Sequence, residues 1–536
     1  MTLNFSYIFA ISLVLMFIFS NARADQDPNC NQLENVEFVT HDIFNLTDSD
    51  TIFLHHWANL LHIKTKQKTL INESAFFLKK CQTLEEDLQE LERHLRNEKY
   101  IRDALVSSNK SHKIDVQTWD NWSLLPTADF ARKGGKNRFA IGIRDRNLLG
   151  LGIDTEIEYF SNEQRTGYKL KTQFPLYLKN NINANIRLTN NDDGSSEAVF
   201  LQKKFVSFDT KNAYKIGFNN FNQIDTAYDN GVVNKQYIHL QNYLTAHWEW
   251  LDQNSESAVL RFGIGYTGEK HAFSNSDEFE LTPITSSTVL PTNRSFSYPF
   301  VSLEYIQKEY RKLTNLNVIN QIEDFNLGWS LAAEIGSDFS NKQASPALIW
   351  QSHLLRGYAV FDDAYLFFDA SFEGEFYTNN ENKNRLLLNI KSEYFYKFND
   401  TWASYFKNTN QFSENQFLDS PVVLGGESGV RGFPLQYRHG KHSTQFTFEA
   451  RYYPHFNIYK LLELGAAAFI DSGRVFGQSE QSISDTSWMT SVGIGARFFS
   501  PHSSEANVIH LDIIKPISSA ANVNSVEFRI TSKHSF

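Results

Sequence analysis

The 536-residue chain carries a formal net charge of -10, with 45 Phe and 23 Tyr, yet its mean hydropathy is only -0.41. That acidic balance, without a basic stripe, excludes nucleic acid as a partner. So many rings in so polar a chain fit strands with one apolar and one polar face better than a soluble aliphatic core.

Residues 1–24 read as a removed signal peptide: an apolar core from Tyr7 to Phe19 precedes Ala22-Arg23-Ala24, a small-x-small cleavage pattern. The stretch before that core lacks Lys and Arg, a departure from the usual leader. Cys30 lacks the Leu-x-small context of a lipidated cysteine. Beyond residue 24 no run of about 18 apolar residues occurs, so a membrane residence requires a closed barrel of strands. Cys30 and Cys81 would meet an oxidising compartment after export and form a candidate disulfide. Sequence alone leaves open whether their backbones approach closely enough.

Residues 25–125 hold the convincing helical periodicity. Thr83-Leu84-Glu85-Glu86 has the form of a capping box, in which hydroxyl and carboxylate satisfy free backbone donors at a helix start. Leu84, Leu88, Leu91 and Leu95 then recur on one face. That face needs a sheet to cover it, and Val36 to Ile43, Tyr100 to Val106 and Ile114 to Leu124 have the alternation of strands. A second helical stretch, Thr69 to Leu78, gives the order strand, helix, helix, strand, strand in a small α+β domain.

From residue 126 to Phe536 the pattern becomes segments of about ten residues with period-two alternation, separated by Asn, Asp, Gly and Ser. Direct counting finds roughly 18 or 19 such segments, and single-chain bacterial barrels take an even number. Two connections are long enough to carry function, Lys270 to Ser295 and about 412–441. In the last segment Val526, Phe528 and Ile530 alternate with polar residues, and the chain ends at Phe536.

The second connection contains Gly425-Gly426-Glu427-Ser428-Gly429-Val430-Arg431-Gly432-Phe433. After it come Glu449, then Phe469-Ile470-Asp471-Ser472-Gly473-Arg474, Ser491-Val492-Gly493-Ile494-Gly495-Ala496-Arg497-Phe498, and His510-Leu511-Asp512-Ile513. In this order they resemble the BamA/TamA superfamily of outer-membrane proteins, most strongly in this C-terminal part and more weakly at Arg144 to Gly150. The N-terminal domain resembles one polypeptide-transport-associated (POTRA) repeat through its element order and Glu92-Arg93-His94-Leu95-Arg96. Cys81 departs from the repeat's usual Gly, and residues 47 to 62 read as an insertion.

The resemblance implies an all-β transmembrane barrel of about 16 antiparallel strands, preceded by the POTRA-like domain in the periplasm of a Gram-negative cell. It implies a loop at about 412–441 that enters the lumen, with Arg431 meeting Asp471 first and Glu449 second. A guanidinium in a partly desolvated lumen requires such planar acceptors on independent grounds. Gly425, Gly426, Gly429 and Gly432 would supply the tip's unusual backbone angles around Val430 and Phe433. Phe528, Ile530 and Phe536 would form the assembly signal of the last strand. On the strand around Asp471, the lumen face would hold Gly465, Phe469 and Gly473, and the lipid face Leu464, Ala466, Ala468 and Ile470.

The function implied is insertion or translocation of polypeptides by strand templating at a barrel seam. The alternative is a plugged channel or lipid-transport barrel without insertase activity. Outer-membrane lipid, unfolded or exported polypeptides and a periplasmic protein at the POTRA-like domain are the expected partners. No cofactor, metal or catalytic group is expected. Val430 breaks the register of a G-x-S-x-G elbow, while His55, His56, His439 and His442 lack a metal-ligand spacing. A Ser/His/acid site assembled across strands, as in an outer-membrane lipase, stays open as a minor alternative.

Overall fold

The computed structural model describes residues 36–47, 51–75, 77–78, 85–108, 113–133, 136–176, 182–276, 290–339, 346–378, 383–426, 429–459, 461–477, 486–504, 508–518 and 522–533. The leader, Cys30, Cys81, Thr83, Leu84, Glu427, Ser428 and Phe536 lie outside these, and with them the disulfide, the capping box and the terminal aromatic.

The N-terminal unit contains β1 (Val36–His41), α1 (Phe53–Leu61), α2 (Gln67–Ser74), α3 (Glu85–Asn97), β2 (Ile101–Ser108) and β3 (Ile114–Asp120). Its sheet runs β1-β3-β2, with β1 parallel and β2 antiparallel to β3. Leu88, Leu91 and Leu95 on α3 are buried with Ile101, Val106, Ile114 and Val116, the stripe and alternation visible in the sequence. Burying each such aliphatic contributes about 1.5–3 kcal/mol. The stretch 47 to 62, read as an insertion, folds in part as α1. Asp120 fixes the following connection, accepting from the Thr65 amide at 2.7 Å and the Thr65 hydroxyl at 2.9 Å beside His62 at 2.8 Å.

From Leu124 onward the chain forms one large antiparallel sheet. Each strand pairs with its neighbours in the chain from Leu124–Lys133 to Glu527–Lys533, and those two strands are themselves neighbours in the sheet order. Among the described residues this order holds twenty strands besides the two-residue piece Asn457–Ile458, which corrects the expectation of about 16. The resemblance was strongest after Gly425 and said little about the earlier chain, where six strands of 9 to 13 residues lie between Leu124 and Lys203. Tight turns such as Asn191 to Gly194, with Gly194 at φ 144°, keep those strands separate.

Two excursions interrupt the meander. One is the hairpin Tyr310–Thr314 with Ile322–Asn326, and the other the hairpin Val422–Leu424 with Arg438–Gly440. The second lies at one end of the sheet, within the connection singled out in the sequence. The N-terminal unit occupies the other end and touches turns from well-separated strands. The Lys66 amide donates to the Gly150 carbonyl at 2.9 Å, the Phe208 amide to Glu90 at 2.8 Å, and the Trp122 amide to the His502 carbonyl at 2.7 Å. His55 Nε2 meets the Tyr459 carbonyl at 2.7 Å, and Arg96 pairs with Asp324 on the first hairpin at 3.1 Å.

Candidate functional site

The inner face of the sheet is polar because alternate residues of each strand turn inward. On Leu462–Phe476, Gly465, Phe469, Asp471 and Gly473 are buried while Ala468 and Ile470 are exposed. Val422, Leu424, Val430, Phe433 and Tyr437 pack on this inner face, the burial cluster taking in Val475 and Met489. The segment at 415–441 therefore turns back inside the sheet. Its tip is closed by the Gly426 amide donating to the Phe433 carbonyl at 2.9 Å.

Arg431, only 4% exposed, is held at this tip. Its Nε lies 2.5 Å from Asp471 Oδ2 and its Nη2 2.9 Å from Asp471 Oδ1, a bidentate pairing of two planar groups. Nη2 also reaches Glu449 Oε1 at 3.1 Å, and the guanidinium carbon stands 3.4 Å from the centre of the Phe469 ring. Asp471 accepts a further bond from the Thr447 hydroxyl at 2.8 Å, because Thr447 is its cross-strand partner. Thr447 was not singled out in the sequence, and Phe469 was placed on the inner face without a role. Their period-two placement opposite and beside Asp471 was the available signal.

Gly425, Gly426, Gly429 and Gly432 have φ of 111°, 64°, 125° and 90°. The first matters most for packing: a Cβ at Gly425 would lie 2.3 Å from the Pro434 carbonyl oxygen, a backbone atom that cannot swing away. In the last strand Phe528 and Ile530 point outward while Glu527 and Arg529 are buried. Asp512 and Arg497, quoted in the sequence but given no role, form a buried pair at 2.6 Å.

The first hairpin was not anticipated at all. Its tip residues Leu316, Val318 and Ile319 are buried, the last two against Ala403, Tyr453, Ala467, Phe499 and Val508 on the inner wall. Glu323 shapes the tip, accepting the amides of Leu316, Asn317 and Val318 at 3.3, 3.0 and 3.4 Å. Arg451 Nη1 donates to the Leu316 carbonyl at 3.0 Å, and Tyr453 Oη to the Asn315 carbonyl at 3.2 Å. The sheet is thus entered from both ends.

Of the histidines weighed in the sequence, His439 Nε2 meets the Tyr228 carbonyl at 2.6 Å, His442 Nδ1 accepts the Ser413 amide at 3.2 Å, and His56 is exposed. None of these belongs to a metal-holding group among the described residues. Two other groups have that geometry: His239, His271 and Asp419 on the inner face, and Glu73, His94 and Glu98 in the N-terminal unit.

No known family model matches the chain, and no curated protein matches it in sequence. Among solved structures it is similar to BamA from Haemophilus ducreyi lacking POTRA domains 1-3, at 12% identity and a TM-score of 0.38, over 93% of this chain and 83% of that one. CdiB from Escherichia coli is similar at 11% identity and a TM-score of 0.46, over 88% and 74%. The FrpB iron transporter from Neisseria meningitidis is similar at 8% identity and 0.39, over 82% and 88%. None of these likenesses assigns a role to a residue of this chain.

Proposed function

We propose that the protein is an outer-membrane β-barrel of the BamA/TamA kind that inserts or translocates polypeptides, its N-terminal unit being a POTRA-like periplasmic domain. The observation that carries this reading is the Val430-Arg431-Gly432-Phe433 tip seated on the inner wall, with Arg431 on Asp471 and Glu449. It unites the residues on which the sequence resemblance rests. Membrane residence is supported by the outer face: Ile141, Ile157, Ile264, Val301, Ile494 and Phe528 are each more than half exposed, from strands throughout the sheet. Water would penalise such a band, whereas lipid tails accept it. Phe53, Trp57 and Leu60 of α1 extend exposed apolar surface beyond the sheet, near the turn of Tyr459. No helix among the described residues is long and apolar enough to cross a membrane, which says nothing against strands.

In this reading the work is done by binding and strand exchange. The last strand, Glu527–Lys533, has seven residues and the first, Leu124–Lys133, has ten. Parting them would expose unpaired backbone groups able to template an incoming strand. The decisive experiment is quantitative outer-membrane proteomics after depletion of the protein. Selective loss of folded outer-membrane or surface proteins is expected and would name the clients; an unchanged proteome would remove the polypeptide-handling function.

A second reading, a plugged channel without insertase activity, draws on one specific observation. The hairpin around Leu316 packs on the inner wall toward the end opposite the Arg431 segment, and the N-terminal unit meets it there through Arg96 and Asp324. In this reading, releasing a plug in lipid bilayers raises conductance while client proteins keep their levels.

A further inference from the structure

On the inner face of the neighbouring strands Val232–Asn254 and Ala258–Asn275, His239 and His271 meet with Nε2 and Nδ1 2.9 Å apart. Both are buried, at 6% and 8% exposure. Each ring's other nitrogen is held by a carboxylate: His239 Nδ1 by Asp225 Oδ2 at 2.7 Å and His271 Nε2 by Glu269 Oε1 at 2.7 Å. An ionised carboxylate only accepts, so these outer nitrogens carry the protons. With both imidazoles neutral, the two inner nitrogens face each other with lone pairs. Such a contact is repulsive unless a positive charge lies beside both. The third group is Asp419, which offers a carboxylate oxygen within 4.8 Å of one ring nitrogen of each histidine.

We propose that His239, His271 and Asp419 bind one divalent transition-metal ion of the zinc class. The donors are two neutral imidazoles and a carboxylate, a set such ions accept while keeping a fourth position for water. Asp225 and Glu269 supply the outer hydrogen bonds that fix ring orientation and raise ligand basicity. Seating the ion requires the nitrogens to spread by a few tenths of an ångström and the Asp419 carboxylate to close in by up to about 1.5 Å, to suit metal–ligand bonds of about 2.0–2.2 Å. Arg294 grips Asp419 at 2.9 and 2.8 Å. Each carboxylate oxygen has a second lone pair, so Asp419 can hold Arg294 and the ion together. The carboxylates of Asp225, Glu269 and Asp419 outnumber Arg294, and Arg165 shares its charge between Asp225 and Asp193. The local field therefore favours a cation. Asp225 and Asp419 also line a cavity of about 480 Å³.

Asp419 lies on the re-entrant segment, whereas His239 and His271 belong to strands distant in sheet order from that of Asp471. Arg431 holds the segment's tip to one part of the wall. The ion holds its leading arm to another.

The test uses the full-length folded protein in detergent micelles, stripped with a chelator and titrated with Co²⁺ alone, then with Zn²⁺ as competitor. One equivalent should bind at these residues, whatever the Glu73, His94 and Glu98 group takes up, with the intensified visible absorption of a low-coordinate nitrogen and oxygen site and no thiolate charge-transfer band. Replacing both His239→Ala and His271→Ala should abolish that equivalent, and Glu269→Gln should weaken it about 10–100-fold. If the double variant does not fold, Asp419→Asn, on the segment and not on the wall, should weaken uptake at least about tenfold by loss of a charged ligand. No stoichiometric uptake by the folded wild type overturns the proposal. Uptake unchanged in the folded variants, or carried by a thiolate, overturns it equally.

Discussion

Glu449 stands between two arginines: its Oε1 is 3.1 Å from Arg431 Nη2, and its Oε2 is 3.1 Å from Arg451 Nε. Arg431 belongs to the segment entering from one end, and Arg451 holds the Leu316 carbonyl of the hairpin entering from the other. One buried carboxylate therefore joins both insertions. Glu449→Gln keeps the shape but leaves two buried guanidiniums short of charge, and breaking a buried pair costs about 3–5 kcal/mol. Amide hydrogen exchange should rise together in 310–326 and 429–433. A rise confined to one of them would show that Glu449 does not couple the two.

Arg431→Lys separates charge from geometry. Lysine keeps a cation near Asp471 but loses the two parallel bonds and the flat contact with Phe469. We expect the variant to insert as a folded barrel with a lower melting temperature and larger single-channel conductance, approaching Arg431→Ala. Conductance equal to wild type in both variants would mean that the pairing does not hold the segment in the lumen.

How far the sequence disclosed these features depended on what each residue's neighbours were. Asp471 and Arg431 were legible because a Val-Arg-Gly-Phe tetrad among four glycines is rare in a loop and because period two fixes which face Asp471 takes. The Leu88, Leu91, Leu95 stripe was legible for the same reason at helical period. The hairpin carrying Leu316 and Ile319 was not, since two five-residue strands look like one more wall segment until their partner is known. His239 and His271 lie 32 residues apart and meet only through the register of two long strands. The strand number was misjudged because it came from resemblance to a C-terminal motif, while the chain's own alternating segments lay closer to the observed twenty.

Gly425→Ala tests whether the tip's backbone matters apart from its charge. The added Cβ would meet the Pro434 carbonyl at 2.3 Å in a backbone already at φ 111°. Strain of this kind costs about 1–3 kcal/mol, so the hairpin Val422–Leu424 with Arg438–Gly440 should part and Arg431 should lose its seat. Protease cleavage between 415 and 441 should appear in folded protein. Resistance equal to wild type would mean that the tip tolerates a side chain there.

In the N-terminal unit Glu98 is pushed up to about 7, first by burial and then by the neighbouring charge of Glu73. Burial opposes the charged ring of His94, but Glu73 at 2.8 Å, together with the charges of Glu98 and Glu90, raises it on balance. For both groups the folded state binds protons more tightly than the unfolded chain. Their contribution is therefore complete at low pH and is lost as pH rises through the folded values. For Glu98 the window runs from about 4.5 to about 7. Because Glu98 is only half-buried, the loss should be about 1 kcal/mol or less, below what its full shift would imply. Hydrogen exchange of β2 in the intact protein, corrected for intrinsic rates, should show protection falling across that window, and Glu98→Gln should flatten the slope. A slope unchanged by that substitution would place the pH dependence in His94 or elsewhere.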